Sequence, residues 1–496
     1  MKLRLIALFL LACMLLSAVA CGKNNEGTQS TTAAADGTTA PAAENTTEAT
    51  TTVAETEPPM WSGLPDVKLE GYTFNIIEAE TGGATGITVP QGFATEITGE
   101  LINDEVYKRN LAVADHFGVT ITSTVDTAKN VRTTITNCVN AGDDAYQLVM
   151  NTPAQSQTMT MNNCLYDLYT IENMDLTKPW YNQDQVRDFT IKDKLYYFMG
   201  DISYATMLFG AAFVYNTTLA DKLQLPDIYE IVKSGQWTLD KMIEHTANVA
   251  QDLNGDSKYL ESDDQFAVAY RATSNLMNFQ YCCGERFIKY DATSDSFIDV
   301  FNMEKMQQIV DKVDIIVNQG DRTLFANDYI ALFNDGRTLF RGSYLGAFFE
   351  HRDMKDDFMP VPYPKFDESQ EKYHSMMTAS CLVMSIPKSV KDTASAGLII
   401  EAMSECSAGD LKEAVYDTVL SYQTMRDEKS LEILKMITDG LIIDLGYLTD
   451  TDSYVRFIVG NVVGDQNGTL SSIYASRKKV VENFYAKLLK SYETLN

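Results

Sequence analysis

The alternation of strand-like and helix-like segments between residues 74 and 153 most constrains how this chain can fold. Residues 74–77 and 147–150 are short apolar runs, and residues 119–125 alternate apolar and polar side chains as a half-buried strand does. Between them, residues 101–117 have helical apolar spacing and residues 130–141 fit a second helix. A βαβαβ order predicts a parallel sheet with helices on its faces, and so an α/β fold.

Polar residues follow two of these predicted strands. Glu78, Glu80 and Thr81 come after the first strand, and Asn151 and Thr152 come after the third. Ligands of open parallel sheets lie beyond the carboxyl ends of the strands. We therefore predict that these side chains lie at the rim of a ligand site.

The first sixty residues predict export. Lys2 and Arg4 precede an apolar run at 5–16, and small residues at 17–20 precede Cys21. The apolar run is too short to span a bilayer, so residues 1–20 are predicted to be a signal peptide. Residues 22–60 are mainly Thr, Ala, Glu, Gly and Pro, a composition that cannot build a core, so residues 21–65 are predicted to form a disordered tether.

Composition and missing motifs exclude several functions. The formal net charge of −28 argues against nucleic acid and anionic lipid surfaces as partners. The sequence contains no glycine-rich phosphate-binding loop and no GxSxG nucleophile motif, and we predict that the protein is not an enzyme. Beyond the signal and Cys21, six cysteines remain, whose spacing fits no zinc pattern and whose pairing the sequence leaves open: Cys138, Cys164, Cys282, Cys283, Cys381 and Cys406.

One acidic loop has the spacing of a calcium site. Asp252, Asn254, Asp256 and Asp263 occupy positions 1, 3, 5 and 12, and the carbonyl of Lys258 stands at position 7. The loop departs from the usual pattern because position 6 is a serine rather than a glycine and position 12 is Asp rather than Glu. We predict a structural Ca²⁺ here, with a solvated Asp/Asn turn as the alternative.

Several motifs between residues 66 and 490 carry a resemblance to one family. They are the runs PWYNQD at 179–184, FVYN at 213–216, GQWTLD at 235–240, FNDGRTLFRGSY at 333–344 and PYPKFDE at 362–368. Together they resemble the extracellular solute-binding lipoproteins of bacterial ABC importers, of the sugar-binding type related to maltose-binding protein. Residues 18–21, AVAC, resemble the lipobox of bacterial lipoproteins, in which the cysteine is lipidated. The alternative is an ordinary signal peptide with a chance cysteine.

The resemblance implies a two-lobed periplasmic-binding-protein-like fold with a ligand cleft between discontinuous lobes. The first lobe would comprise residues 66–205 plus 382–445, and the second residues 206–375 plus 446–490. Such lobes close by hinge motion, and an ABC importer membrane permease would recognise the closed form. The protein would be an extracytoplasmic monomer held at the cell membrane by acyl chains on Cys21.

A sugar site needs flat aromatic rings and paired polar groups. The residues that we select for it are Trp180, Tyr181, Gln280, Tyr281, Arg341, Tyr344 and Tyr454, with Arg456 a weaker candidate. Tyr344 stands, by resemblance, where maltose-type proteins stack a tryptophan on the sugar. Trp180 could equally be a structural aromatic residue at a lobe edge, and Trp237 is assigned to helix packing.

Two other interpretations remain open at the level of sequence. A surface glycan-processing enzyme would need two carboxyl groups facing each other about 5–10 Å apart. The same fold could instead bind a peptide, a polyamine or a metal chelate. The leading prediction is capture of an oligosaccharide.

Overall fold

The computed structural model describes residues 60–80, 91–351, 353–420, 428–449 and 456–495. The predicted signal peptide, Cys21 and the tether up to residue 59 lie outside these ranges. Trp61, which we expected in the tether, packs on the folded unit. Its backbone N–H donates to Glu405 (2.9 Å) and its indole Nε1 to the carbonyl of Ala402 (3.0 Å). The chain is therefore folded some residues earlier than the sequence suggested.

Thirteen strands are present in the described residues. In chain order they are β1 (Thr73–Ala79), β2 (Thr120–Asp126), β3 (Leu148–Asn151), β4 (Ala211–Asn216), β5 (Phe266–Tyr270), β6 (Ile288–Asp291), β7 (Ser296–Asp299), β8 (Thr323–Phe325), β9 (Thr338–Tyr344), β10 (Phe358–Pro362), β11 (Ser375–Met376), β12 (Val383–Ser385) and β13 (Leu441–Ile442).

Sixteen α-helices accompany them within the same ranges. They are α1 (Leu101–Phe117), α2 (Ala128–Ala141), α3 (Pro153–Met161), α4 (Gln183–Phe189), α5 (Ala205–Leu208), α6 (Thr217–Lys222), α7 (Ile228–Lys233), α8 (Leu239–Thr246), α9 (Met277–Cys282), α10 (Met303–Asn318), α11 (Tyr329–Asn334), α12 (Thr393–Cys406), α13 (Lys412–Leu420), α14 (Glu428–Asp439), α15 (Leu445–Leu448) and α16 (Leu470–Tyr492).

The first lobe is built on a four-stranded sheet in the order β12-β3-β1-β2. β1 runs parallel to β2 and β3, and Ile76 pairs with both Ser123 and Leu148. The helices between these strands end where glycine can adopt a left-handed backbone, at Gly118 (φ 72°) after α1 and at Gly142 (φ 68°) after α2. The predicted βαβαβ unit and its parallel sheet are confirmed.

The second lobe is built on a five-stranded sheet in the order β10-β4-β9-β5-β8. All residues of β4 are buried, as expected of a strand inside a sheet. Trp237 is also fully buried, stacks on Phe340 and donates its indole N–H to the carbonyl of Pro362 (2.9 Å). Its assignment to helix packing is confirmed. The neighbouring Thr238 caps α8, since its side chain accepts from the N–H of Lys241 (3.3 Å).

Crossover segments join the lobes. The first runs from the segment beside β12 to β4, since Phe198 bridges Met384 and Gly210 bridges Met377. The second contains β11, which pairs in parallel with β13, a short strand that follows α14. Helix α14, which we expected in the first lobe, packs against β10 of the second-lobe sheet.

Candidate functional site

One edge of each sheet faces the crossovers, and the edge of the first-lobe sheet contains Glu78 and Asn151. It is formed by the carboxyl ends of β1, β2 and β3, where Glu78 and Asn151 are both fully buried. The Glu78 carboxylate accepts from the backbone N–H groups of Gln91 (2.7 Å) and Gly92 (3.1 Å) and from the Ser123 hydroxyl (2.9 Å). Glu78 therefore anchors Gln91 and Gly92 to the carboxyl end of β1.

Asn151 is also bound by its own chain. Its Oδ1 accepts from the N–H of Thr152 (2.8 Å), and its Nδ2 donates to the carbonyl of Ala128 (3.0 Å). This ties the end of β3 to the start of α2. Glu80, by contrast, is exposed at the same edge, and Thr81 lies outside the described residues.

The second-lobe edge carries tyrosines and amides. Here the carboxyl end of β9, at Tyr344, pairs with the amino end of β4. Burial raises the pKa of the Tyr344 phenol, which lies within hydrogen-bonding reach of Thr378 and Asn278. The Tyr447 hydroxyl accepts from the N–H of Ala379 (3.3 Å). Residues from the sheet, from α9, from α15 and from the segment just after β11 thus meet at this edge.

Gln280 and Tyr281 lie on α9 beside this edge, and both are fully buried. The Tyr281 ring packs on Tyr447 with a centroid distance of 5.3 Å, and the guanidinium of Arg456 lies 5.7 Å from the Tyr447 ring. Within the described part of the chain, neither amide atom of the Gln280 side chain has a hydrogen-bond partner. A buried amide without a partner costs about 1–3 kcal/mol, a cost that hydrogen bonds to a polar ligand would offset.

Trp180 and Tyr181 lie elsewhere, against α12 of the first lobe. Tyr181 is buried and donates its hydroxyl to Glu401 on α12. Burial raises the pKa of Glu401 to about 7, and the Trp180 side chain lies within reach of the same carboxyl group. These contacts correspond to the structural role that we weighed for Trp180, and they extend it to Tyr181.

Arg341 is fully buried inside the second lobe. Its guanidinium donates to the ring of His351 and to the hydroxyl of Tyr329 (3.1 Å), and it forms an ion pair with Glu350. Burial lowers the pKa of His351 to about 2, so this ring is neutral and can accept from Arg341. The guanidinium is therefore already held by protein groups. Tyr454 lies outside the described residues.

The acidic loop at 252–263 folds around its own backbone. The Asp252 carboxylate accepts from the N–H groups of Gly255 (2.6 Å) and Ser257 (2.7 Å). Ser257 has φ 63°, so it adopts the left-handed turn for which glycine is usual at position 6. In the described residues no three carboxylate, histidine or cysteine side chains are grouped as metal ligands, and Asp263 contacts Ser262 instead.

One cavity lies away from both edges. It has a volume of about 300 Å³ and opens beside Phe358 and Thr217, at the opposite end of the second-lobe sheet. Its wall includes Asp227, which caps α7 and pairs with Lys429 (3.1 Å). We do not place the ligand there, because the carboxyl ends of β5, β8 and β9 point the other way.

Sequence reasoning missed Asn278, Thr378 and Tyr447. Asn278 and Tyr447 lie on the short helices α9 and α15, Thr378 lies just after β11, and no strand-end pattern marks them. The tyrosine content was a signal that aromatic residues line the site, but the order of the strands in the second lobe was needed to bring them together. The six cysteines are all free thiols in the described residues.

Comparison with solved structures identifies the fold. The GacH receptor of Streptomyces glaucescens GLA.O, solved without ligand and with acarbose, matches with a TM-score of 0.53 and 11% identity, covering 85% of this chain and 99% of its own. A cyclo/maltodextrin-binding protein complexed with maltotetraose gives 0.55 and 12%, covering 84% and 98%. The galacto-N-biose-/lacto-N-biose I-binding protein of the ABC transporter from Bifidobacterium longum, in complex with lacto-N-biose, gives 0.55 and 11%, covering 84% and 97%.

These matches define a class of fold. The chain has the two-lobed fold of solute-binding proteins, as the resemblance implied, and its neighbours with this fold are binding proteins. The sequence matches no family model and no curated relative. Among the described residues, no helix combines the length and apolar character needed to cross a bilayer.

Proposed function

We propose that this protein captures an oligosaccharide outside the cell and delivers it to the membrane permease of an ABC importer. The observation that carries the proposal is the fold, which is shared over more than four-fifths of the chain with proteins solved in complex with acarbose, maltotetraose and lacto-N-biose. The second-lobe edge supports it, because tyrosine rings and an unpartnered amide suit alternating C–H faces and hydroxyls.

A thermal-shift screen tests the ligand class. Acarbose, maltotetraose, lacto-N-biose and other saccharides would be compared with peptides and polyamines. A saccharide at a hundredfold its dissociation constant should add about 2.7 kcal/mol to the free energy of unfolding, a shift of several degrees. Recovery of the saccharide intact by chromatography would separate binding from the glycan-processing alternative. Stabilisation by peptides or polyamines alone would contradict the proposal.

We also propose that acyl chains on Cys21 hold the protein, as a monomer, at the outer face of the cell membrane. Residues 18–21 support this, since two or more chains on one residue hold a protein firmly at a bilayer. Mass spectrometry of the membrane-extracted protein should find acylated Cys21, and Cys21→Ser should release the protein into the medium. Release of the unchanged protein would contradict the anchor.

Calcium at the loop 252–263 is a further proposal. The left-handed Ser257 supports it, because its N–H turns toward Asp252 as a glycine at position 6 would allow. The donor set of Asp252, Asn254, Asp256 and the Lys258 carbonyl suits a hard cation, whose role would be to stiffen the loop. Asp263 would have to turn inward to complete the set.

A further inference from the structure

Two turns, one from each lobe, meet near α15, against which β6 packs. The first is the turn at residues 191–194, where Ile191 bridges Lys194 and both Lys192 (φ 52°) and Asp193 (φ 58°) are left-handed. Two successive left-handed residues are the signature of a tight hairpin turn. The segment that leaves this turn reaches Phe198, which bridges Met384 in β12, so the turn belongs to the first lobe.

The second turn joins β6 to β7. This hairpin is inserted between α9 and α10 and so belongs to the second lobe. Its tip is shaped locally, because the Asp291 carboxylate accepts from the N–H groups of Thr293 (3.3 Å) and Ser294 (3.2 Å) and Asp295 is left-handed (φ 47°). The tip therefore presents Asp295 in a defined position.

The two turns are joined by three polar contacts. The backbone N–H of Lys192 donates to the Tyr290 hydroxyl (3.1 Å), which itself donates to Oδ1 of Asp295 (2.7 Å). The Lys192 ammonium forms an ion pair with Oδ2 of the same carboxylate. A single first-lobe residue thus binds the second-lobe hairpin through both its main chain and its side chain, and β6 also packs against α4 of the first lobe.

This contact can break without unfolding either lobe. The Asp295 side chain is 53% exposed and that of Lys192 is 21% exposed, so the ion pair is worth about 0.2–1 kcal/mol. A cavity of about 210 Å³ lies between the hairpin and α16, lined by Phe297 and Val481 among others. Beside this cavity the hairpin is held by α16, where the Phe297 ring packs on Tyr485 (centroid distance 4.7 Å) and Asp299 pairs with Lys478 (2.9 Å), so the hairpin keeps its own support when the contact with Lys192 breaks.

We propose that Lys192, Tyr290 and Asp295 form a latch that stabilises the arrangement of the lobes in this structure. The crossovers hold the lobes together covalently, whereas the latch joins them through side chains that can separate. Its strength is that of an exposed polar contact, so removing it should raise the population with separated lobes by up to about fivefold. If the protein binds solutes as proposed, that change would alter the apparent affinity without touching the ligand.

Charge reversal and charge exchange in the ligand-free, full-length protein test the latch. Asp295→Lys places two cations together and should raise the radius of gyration measured by X-ray scattering. The exchange variant Lys192→Asp/Asp295→Lys should restore it, and Tyr290→Phe should produce a smaller increase. Glu244→Lys is the matched control, since Glu244 pairs with Lys241 inside α8 (2.8 Å) and spans no lobe boundary.

Hydrogen exchange at residues 191–194 and 290–296 provides a second measurement, and circular dichroism checks that each variant is folded. Faster exchange at both turns in Asp295→Lys, reversed in the exchange variant, would support the latch. An unchanged radius and unchanged exchange, or an equal increase in Glu244→Lys, would overturn it. No saccharide is needed, so failure of the proposed function would leave this result intact.

Discussion

The edges of the two sheets use their polar residues differently. At the first-lobe edge, Glu78 and Asn151 are satisfied by their own chain, through the N–H groups of Gln91 and Gly92, the Ser123 hydroxyl, and backbone groups near α2. At the second-lobe edge, Gln280 is equally buried and neither atom of its amide has a partner in the described residues, whereas Gln91 at the first edge keeps one partner, the Ser203 hydroxyl, for its Oε1 and has none for its Nε2. A buried polar side chain is thus suited to a ligand only where the fold leaves its hydrogen-bonding capacity free.

The largest expected effect is loss of the anchor at the first edge. Glu78→Ala would leave three N–H and O–H donors unpaired and the nearby buried Arg109 without its countercharge. We expect the free energy of unfolding to fall by about 3–5 kcal/mol, measured by chemical denaturation. Glu80→Ala, at the exposed neighbouring position, should change it by about 0.5 kcal/mol or less. Equal losses in the free energy of unfolding for the two substitutions would show that Glu78 supports the fold no more than the exposed Glu80 does.

The second prediction concerns buried carboxyl groups beside each edge. Burial raises the pKa of Asp201 near the first edge to about 6, and that of Asp444 near the second edge to about 6. A raised folded pKa contributes stability that is fully present below the unfolded pKa and is lost as pH rises through the folded value. Stability should therefore fall between pH ~4 and pH ~7, by about 3 kcal/mol for the shift at Asp444.

Denaturation curves across this pH range provide the measurement. Asp444→Asn keeps the side-chain oxygen that caps α15, where Asp444 accepts from the N–H of Tyr447 (2.8 Å), but removes the titration. This variant should flatten the dependence, while Glu244→Gln on the surface should not. A slope of the opposite sign, or one unaffected by Asp444→Asn, would show that Asp444 is ionised throughout.

The contrast between the edges also explains what the sequence could predict. Period-two and period-3.6 patterns located β1, α1, β2, α2 and β3 because this unit is local in the chain. The division into lobes followed from the resemblance, but α14 depends on long-range packing that no pattern encodes. Glu78 and Asn151 were correctly placed at a sheet edge, while their bonding partners at Gln91 and Ala128 could be known only from the fold.

The third prediction compares the same substitution at each edge. Gln280→Met removes an amide without partners, so the ligand-free protein should keep or gain thermal stability. Affinity for a bound saccharide should fall about tenfold, or ~1.4 kcal/mol, by calorimetry. At the first edge Gln91 accepts from the Ser203 hydroxyl (2.6 Å), so Gln91→Met should cost about 1 kcal/mol of stability. Destabilisation by Gln280→Met would mean that its amide serves the fold.

The smallest expected effect is at the acidic loop, which resembles the first edge because its carboxylates already bind N–H groups. The Asp252 carboxylate accepts from two backbone N–H groups, and the Asp256 carboxylate accepts from the N–H of Lys258 (2.9 Å). Asp264, rather than Asp263, reaches back to the N–H groups of Leu253 (2.9 Å) and Leu260 (2.7 Å). Calcium must therefore act on a loop that is already folded, and we expect weak, millimolar binding.

At a few times its dissociation constant, calcium should stabilise the protein by about 1 kcal/mol, seen as a small rise in melting temperature. Magnesium should have less effect, since it demands a tighter octahedral shell than this loop of mixed carboxylate, amide and carbonyl oxygens supplies. Asp256→Asn should abolish the calcium response while leaving the calcium-free melting temperature nearly unchanged, because the asparagine oxygen can still accept from Lys258. A response that survives this substitution would move the ion to another site, and no response at all would leave the loop as a turn closed by its own backbone.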